Sequence, residues 1–539
     1  MKKKLPLKTK RVQKANPKKP VRPTFYITTA IHYSSGLPHI GHAYENILTD
    51  VIARCKRLIG FDVYFLTGLD EHGQKIYEVA QKNNYSPKKW TDYIYTKFIE
   101  LWKKLQISND GFIRTTDKYH EAAVQKVFSA FLKQKLIYLS KWESLYCVGC
   151  EEAYTEEEAI KKPDGLYCRT GHKLITKSEP SYFFKMSKFT QWIKKFLLSQ
   201  KTFLVPPTRI KELMNTFINK GIDDLSVSRL KSSCKWGIGV ADDQKHVVYV
   251  WIDALLNYIT ALGYLQKNDK LFLHYWQKTP GEVVHVVGKD IARFHAIYWP
   301  IMLHCLKVRE PSHLIAHGWI MAEDGRKMSK SFNNVVDPNA LVDKYGSDLV
   351  RYYLTKEFLI ENDNNFSLKK MQELYNNDLA NNYGNLVSRL IGMVNKYTDG
   401  KIKYTKGVKL DDQTKILIKT IKQTIKTYTT AVNQFKINVA LNTVLELAKA
   451  ANKYIENTKP WTLFAKKNTG AINNFLFYLT NAARTITVLL TPVLTNGTKQ
   501  FIDQLCFTAS QLTFADLLDF TKIDGHCVAK TSTPIYNRL

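Results

Sequence analysis

The chain has 539 residues, 45% of them hydrophobic and 24% charged, with a formal net charge of +31. This length is enough for about three or four domains with buried cores, and the composition excludes a largely disordered chain. A positive field of this size attracts polyanions and makes nucleic acid the natural partner, although a lysine-rich surface kept for solubility would carry the same charge.

Residues 1–22 are rich in Lys and Arg, contain no acid and lack an apolar run, so a basic disordered tail is predicted and not a signal peptide. An organellar transit segment is the alternative, but such segments are usually rich in Arg and Ser. The cysteines, at 55, 147, 150, 168, 234, 305, 506 and 527, are mostly scattered and form no disulfide framework, which points to a reducing, cytoplasmic compartment.

In Phe25–Gly60 the run Phe25, Tyr26, Ile27, Thr28, Thr29 suits a buried parallel strand, and Gly36 and Pro38 end it. Ile47, Val51, Ile52 and Leu58 then recur at helical spacing from Ala43 onward, with Gly60 as the stop. His39, Ile40, Gly41 and His42 therefore fall where a helix starts just beyond a strand, and a helix amino terminus receives phosphate. Both imidazoles can donate to phosphate oxygens, and Gly41 lets a flat base lie against the backbone. Taken alone, the same turn could be ordinary capping.

A second strand, Asp62–Leu66, leads to Thr67, Gly68, Leu69, Asp70, Glu71, His72, Gly73. Asp70, at a strand's carboxyl end, faces the usual ligand crevice and can hold a cation, or these acids only cap the helix near Gln74. Helices are predicted at Pro87–Leu105 and Asp117–Gln134. Cys147, Cys150, Cys168 and His172 then form two ligand pairs on tight turns, suited to a closed tetrahedral zinc or to metal-free thiols. The sheet is expected to resume at Val247–Trp251 and Val283–Val287, with Trp251, Tyr258 and His295 as either core or an aromatic pocket for an apolar side chain.

Glu323, Asp324 and Gly325 precede Lys327, Met328, Ser329, Lys330 and Ser331, two ammonium groups on a hinged loop that can close over a departing pyrophosphate. A solvated basic loop is the alternative. From Leu368 onward amphipathic helices predict a bundle, with Asn385 and Arg389 on one helical face and Trp461 at a helix break. Phe475–Val493, interrupted by Asn481 and Arg484, reads as a buried helix and not a membrane span.

The strings at 39–42 and 327–331 together resemble the HIGH and KMSKS signatures of class I aminoacyl-tRNA synthetases. The order and spacing of TTAIHYSSGLPHIGHAYENILTD, TGLDEHG, YVWIDALLNY, GKDIARFHAIYWP, AHGWIMAEDGRKMSKS, NNYGNLVSR and NKYIENTKPW are similar to the methionyl-tRNA synthetase family, in its bacterial-type branch with a single zinc knuckle. The resemblance runs from Tyr26 to about residue 520. It implies an α/β fold: a Rossmann-type parallel sheet at 23–135 and 231–325, a knuckle insertion at 136–230, a KMSKS loop and stem-contact region at 326–369, and an all-α anticodon-binding bundle at 370–539. That insertion is too short for the editing domain of the leucyl, isoleucyl and valyl enzymes.

The same resemblance implies an ATP- and Mg2+-dependent methionine–tRNA ligase with one structural Zn2+ on Cys147, Cys150, Cys168 and His172. Its catalytic residues would be His39, His42, Lys327 and Lys330, and its ATP contacts would add Gly41, Lys289, Asp290, His317, Gly318, Met328 and Ser329. Methionine would be held by Ile31, Tyr33, Asp70, Trp251, Leu255, Tyr258, Ile291 and His295, and the CAU anticodon of initiator and elongator tRNA(Met) by Asn385, Arg389 and Trp461. Many relatives have Pro where Leu255 stands, and Cys-x-x-x-His is one residue looser than the expected Cys-x-x-His. Little follows Thr521 for an appended dimerising domain, so a monomer is expected. The competing readings are another class I synthetase, above all the cysteinyl enzyme, a small-molecule nucleotidylyltransferase, and a non-catalytic tRNA-binding paralogue.

Overall fold

The computed structural model describes residues 22–278, 280–328 and 334–539. Ser329 and Lys330, and all of the expected tail except Arg22, lie outside the described residues. Strand β1 (Thr24–Thr29) leads through the short β2 (His32–Tyr33) into helix α1 (Ile40–Leu58) and strand β3 (Asp62–Asp70). Helices α2 (Gln74–Lys82) and α3 (Pro87–Lys104), strand β4 (Gly111–Arg114) and helix α4 (Lys118–Lys133) follow. Helix α3 starts where expected because the Ser86 side chain caps it and Pro87 occupies its first turn. Helix α1 starts three residues ahead of the apolar pattern, since His39 and His42 supply the cap.

The insertion is framed by β5 (Ile137–Cys147) and β6 (Ile175–Phe184), which pair antiparallel from Ile137↔Phe184 to Tyr146↔Ile175. Then come β7 (Leu204–Val205), β8 (Asp243–Val248), α5 (Val250–Thr260), β9 (Gly281–Gly288) and β10 (His313–His317). Among the described residues the main sheet runs β7–β10–β9–β1–β3–β2, with β4 also on β3, and every pairing is parallel. The chain winds outward from β1 to β3 and then returns to build β9 and β10 on the other side. The order therefore reverses beside β1, and a ligand crevice opens at the carboxyl ends of the strands there. Alternation along β1 sends Phe25 and Ile27 to the face covered by α1 and Tyr26 to the face covered by α5.

The strand expected at Val247–Trp251 is corrected. β8 ends at Val248 and belongs to a small antiparallel sheet with Ser228–Leu230 and Gly239–Val240, while Trp251 lies in the first turn of α5. An apolar run with no polar alternation does not distinguish a strand from a buried helix, and here Asp253 in the first turn favours the helix.

After α6 (Pro338–Lys356), the helices α7 (Asn385–Thr398), α8 (Asp412–Asn433), α9 (Ile437–Thr458), α10 (Pro460–Ala465) and α11 (Thr469–Leu490) form the bundle. No described helix is long and apolar enough to cross a membrane. One buried guanidinium joins bundle to sheet. Arg351, 0% exposed, pairs with Asp50 of α1 at 2.6 Å and donates to the carbonyls of Leu105, Pro492 and Val493 at 3.1, 2.8 and 3.0 Å. Asp50 also accepts from Arg54 and from the backbone N–H and hydroxyl of Ser108.

Burial alone would raise the Asp50 pKa, but Arg351, Arg54 and the Ser108 hydrogen bonds hold it net below the ordinary value. Its contribution to stability is therefore present above the unfolded carboxylate pKa and lost as pH falls through the lower folded value. Arg351→Ala leaves Asp50 buried without its main partner and should cost about 3–5 kcal/mol in denaturant titration at neutral pH. The gap to wild type should narrow in acid, and Asp50→Asn combined with Arg351→Met should recover part of the loss.

Candidate functional site

The turn between β2 and α1 is a reciprocal cap. The Gly41 N–H donates to His39 Nδ1 at 3.1 Å, and the His39 N–H donates to His42 Nδ1 at 3.3 Å. Both Nδ1 atoms are acceptors, so each neutral ring keeps its proton on Nε2 as a donor. The two rings stack at 3.7 Å, with His32 at 4.7 Å from His42. Burial, with His39 and then His32 nearby, holds the His42 pKa well below the usual range; burial, with His39 and His317 beside it, takes His32 to about 3. A Cβ on Gly41 would meet only the His39 ring within 4 Å, which leaves the backbone there open to a ligand.

Across the crevice, β10 delivers His317. Its Nε2 meets Glu45 of α1 at 3.1 Å, and Glu45 also accepts the Ala30 N–H at 2.9 Å. Burial would lower the His317 pKa, but the Glu45 carboxylate raises it overall. Gly318 is obligatory, because a Cβ there would lie 1.9 Å from the Asn362 carbonyl oxygen. Trp319 follows, and the Nζ atoms of Lys289 and Lys327 lie 4.4 and 4.8 Å from the centre of its ring. Asp290 accepts from the Trp319 indole N–H at 3.3 Å, and Asp363 accepts from Lys289 at 2.7 Å. Met328 packs against the core at the edge of the described loop.

The other wall is acidic and apolar. Asp70 is 8% exposed and its Oδ1 has no hydrogen-bond partner. Burial, then Asp253 and Glu151, pushes its pKa well above the carboxylate range. Such a carboxylate is a receptor for a small cation. Asp253 is itself bound by His72 Nδ1 at 2.7 Å and His120 Nε2 at 2.6 Å. Leu255 and Tyr258 of α5 are buried, with Ile31, Trp251 and Ile291 packed against the same cluster. Trp251 stacks on Phe294 at 3.7 Å. His295 Nδ1 donates to the Ile291 carbonyl at 3.0 Å, which leaves Nε2 to accept the Tyr258 hydroxyl at 2.7 Å. Burial lowers the His295 pKa to about 4, so this ring is neutral.

At the tip of the β5–β6 hairpin the ligand atoms of Cys147, Cys150, Cys168 and His172 lie within 4.8 Å of one another. His172 Nδ1 is 3.6, 3.5 and 3.7 Å from the three sulfurs, and Cys150 Sγ is 3.7 Å from Cys168 Sγ. A tetrahedron with zinc bonds of about 2.3 Å to sulfur and 2.0 Å to nitrogen has edges of roughly 3.5–3.8 Å. The donor set fits such an ion. The extra residue of the second half-site is absorbed by Gly171, at φ +89°.

In the bundle, Asn385 is exposed at the start of α7, and Trp461 is 50% exposed on α10. A groove of about 410 Å³ brings Trp461 together with Arg389, Lys396 and Tyr397. Sequence reasoning did not single out Glu45, His32, Trp319, Asp253 or Lys396. Glu45 and Trp319 stand inside strings that were read, but their partners, His317 and Lys289 among them, come from distant strands.

Residues 25–171 and 157–391 match the family described as tRNA synthetases class I (M), and residues 405–522 match the anticodon binding domain of methionyl tRNA ligase. A methionine–tRNA ligase of Ureaplasma parvum serovar 3 is 46% identical over 516 residues, covering 96% of this chain and 98% of that protein. The Bacillus subtilis (strain 168) methionine–tRNA ligase is 42% identical over 534 residues, covering 96% of this chain and 78% of its own length. The structure of Mycobacterium tuberculosis methionyl-tRNA synthetase in complex with methionyl-adenylate matches with a TM-score of 0.90 at 33% identity, covering 96% of this chain and all of that one. With the switch-point crevice, the paired signatures and the helical bundle on one chain, these matches place it in the methionyl-tRNA synthetase family of class I aminoacyl-tRNA synthetases.

Proposed function

We propose that the chain is a methionine–tRNA ligase whose two half-sites face each other across the carboxyl edge of the sheet. The observation that carries this reading is the buried Asp70 carboxylate, with its Oδ1 free of any hydrogen-bond partner, beside the Tyr258–His295 pocket and opposite the imidazole and lysine groups. Asp70 takes the ammonium group of methionine. Ile31, Tyr33, Trp251, Leu255, Tyr258, Ile291 and His295 enclose the thioether side chain, largely by shape.

The methionine carboxylate is already ionised and attacks the α-phosphorus of ATP without a protein base, so the protein's task is alignment and neutralisation. His39 and His42 donate their Nε2–H groups to the phosphates as charge builds, and Gly41 admits the adenine. Lys289, Asp290, His317 and Gly318 complete the nucleotide site. Lys327, with Met328, Ser329 and Lys330 after it, closes on magnesium pyrophosphate as it leaves. A ribose hydroxyl of the terminal tRNA adenosine then attacks the adenylate. One structural zinc is held by Cys147, Cys150, Cys168 and His172, and initiator and elongator tRNA(Met) are read by Asn385, Arg389 and Trp461. A cytoplasmic monomer is the form this reading takes.

Exchange of pyrophosphate into ATP, run with each of the twenty amino acids, should proceed with methionine alone. Exchange with cysteine would discard the pocket assignment, and none with folded protein would favour the non-catalytic alternative. Asp70→Asn should raise KM for methionine about 10- to 100-fold while leaving KM for ATP near wild type, as expected for loss of a charged hydrogen bond. Trp461→Ala should lower kcat/KM for tRNA about 10- to 100-fold, the worth of one base stack, with the exchange rate unchanged.

A further inference from the structure

We propose that Glu151, the residue after the second cysteine of the knuckle, is a positioning residue for the methionine site and acts through the Tyr33 hydroxyl. This inference rests on the methionine pocket proposed above. Glu151 stands in the left-handed region at φ +51° and is 5% exposed, an unusual place for a residue with a long charged side chain. What keeps it there is a set of contacts with the catalytic sheet. Its Oε1 accepts the Tyr33 hydroxyl at 2.8 Å and the Lys75 backbone N–H at 3.2 Å, and its carbonyl accepts the Tyr249 hydroxyl at 2.5 Å. Lys75 Nζ in turn donates to the Gly149 carbonyl at 2.8 Å. The knuckle is thereby clipped to the amino terminus of α2 and to β2.

Gly73 shows that the geometry of this contact is enforced. At φ +122°, a Cβ on Gly73 would lie 2.4 Å from Glu151 Oε1 and 2.6 Å from the Tyr33 hydroxyl. Only glycine leaves room for the bond between them. Tyr33, for its part, pairs in register with Asp70 across β2 and β3. A carboxylate that fixes the Tyr33 ring therefore fixes the strand pair that presents Asp70. His39 and His42 take their support from their own cap and not from this contact. Removing Glu151 should accordingly loosen methionine binding and spare the phosphate half of the site.

The test measures methionine-dependent pyrophosphate exchange and bound zinc in Glu151→Ala, Glu151→Gln, Tyr33→Phe and the double variant Glu151→Ala/Tyr33→Phe. Activity of wild type with methionine checks the underlying reading separately. Glu151→Ala should raise KM for methionine about tenfold, with kcat and KM for ATP near wild type and one zinc retained per chain. Tyr33→Phe should give a similar rise, the double variant should be no worse than either single, and Glu151→Gln, which keeps an acceptor oxygen, should recover part of it. A wild-type KM in Tyr33→Phe overturns the proposal whether or not Glu151→Ala folds. Multiplying effects in the double variant overturn it as well, and zinc loss in Glu151→Ala with normal KM in Tyr33→Phe would assign Glu151 to the knuckle alone.

Discussion

The buried Arg351–Asp50 pair joins the helical bundle to the sheet. One fully buried guanidinium binds the carboxylate of the helix that carries the imidazole turn, and it also binds the carbonyls of Pro492 and Val493 just beyond the bundle helix Thr469–Leu490. A guanidinium suits this place because its planar fork supplies several donors at once, so that no part of the charge is left unmet. The cost of taking both charges out of water is offset only by that complete set of partners.

The crevice is organised by opposite charge. One wall gathers Asp70, Asp253 and Glu151; burial and then the charges of Asp253 and Glu151 raise the Asp70 pKa, whereas Asp253, despite its burial, is held below its ordinary value by the imidazoles of His72 and His120. The opposite wall gathers imidazole donors and the ammonium groups over Trp319. The methionine site proposed above uses both walls, the acidic one for the ammonium group and the donors for the carboxylate. The histidines of the cap are neutral donors. Burial keeps the rings uncharged, and their caps hold the proton on Nε2, so the donors are oriented before any phosphate arrives.

The knuckle gains a place in this scheme through its position at the tip of the β5–β6 hairpin. Its four ligand atoms lie within 4.8 Å of one another, and the residue that follows Cys150 accepts a hydrogen bond from Tyr33 of β2. An insertion that looks peripheral along the chain thus touches the main sheet.

Much of this was legible in the sequence because its signals are local. The β-branched run before Gly36, the helical spacing after it and the strings at 39–42, 147–172 and 327–331 each carry their own turn chemistry or ligand spacing, and these determined the α/β class, the Cys147–His172 cluster and the family resemblance. The apolar run around Trp251 failed as a strand because periodicity is silent where every face is buried. The tertiary structure alone decided the pairs that cross the chain: His317 with Glu45, Lys289 over Trp319, Arg351 with Asp50 and Glu151 with Tyr33. Each of these joins residues from separate elements, and their burial and partners exist only once the parallel sheet has brought distant strand ends to one edge.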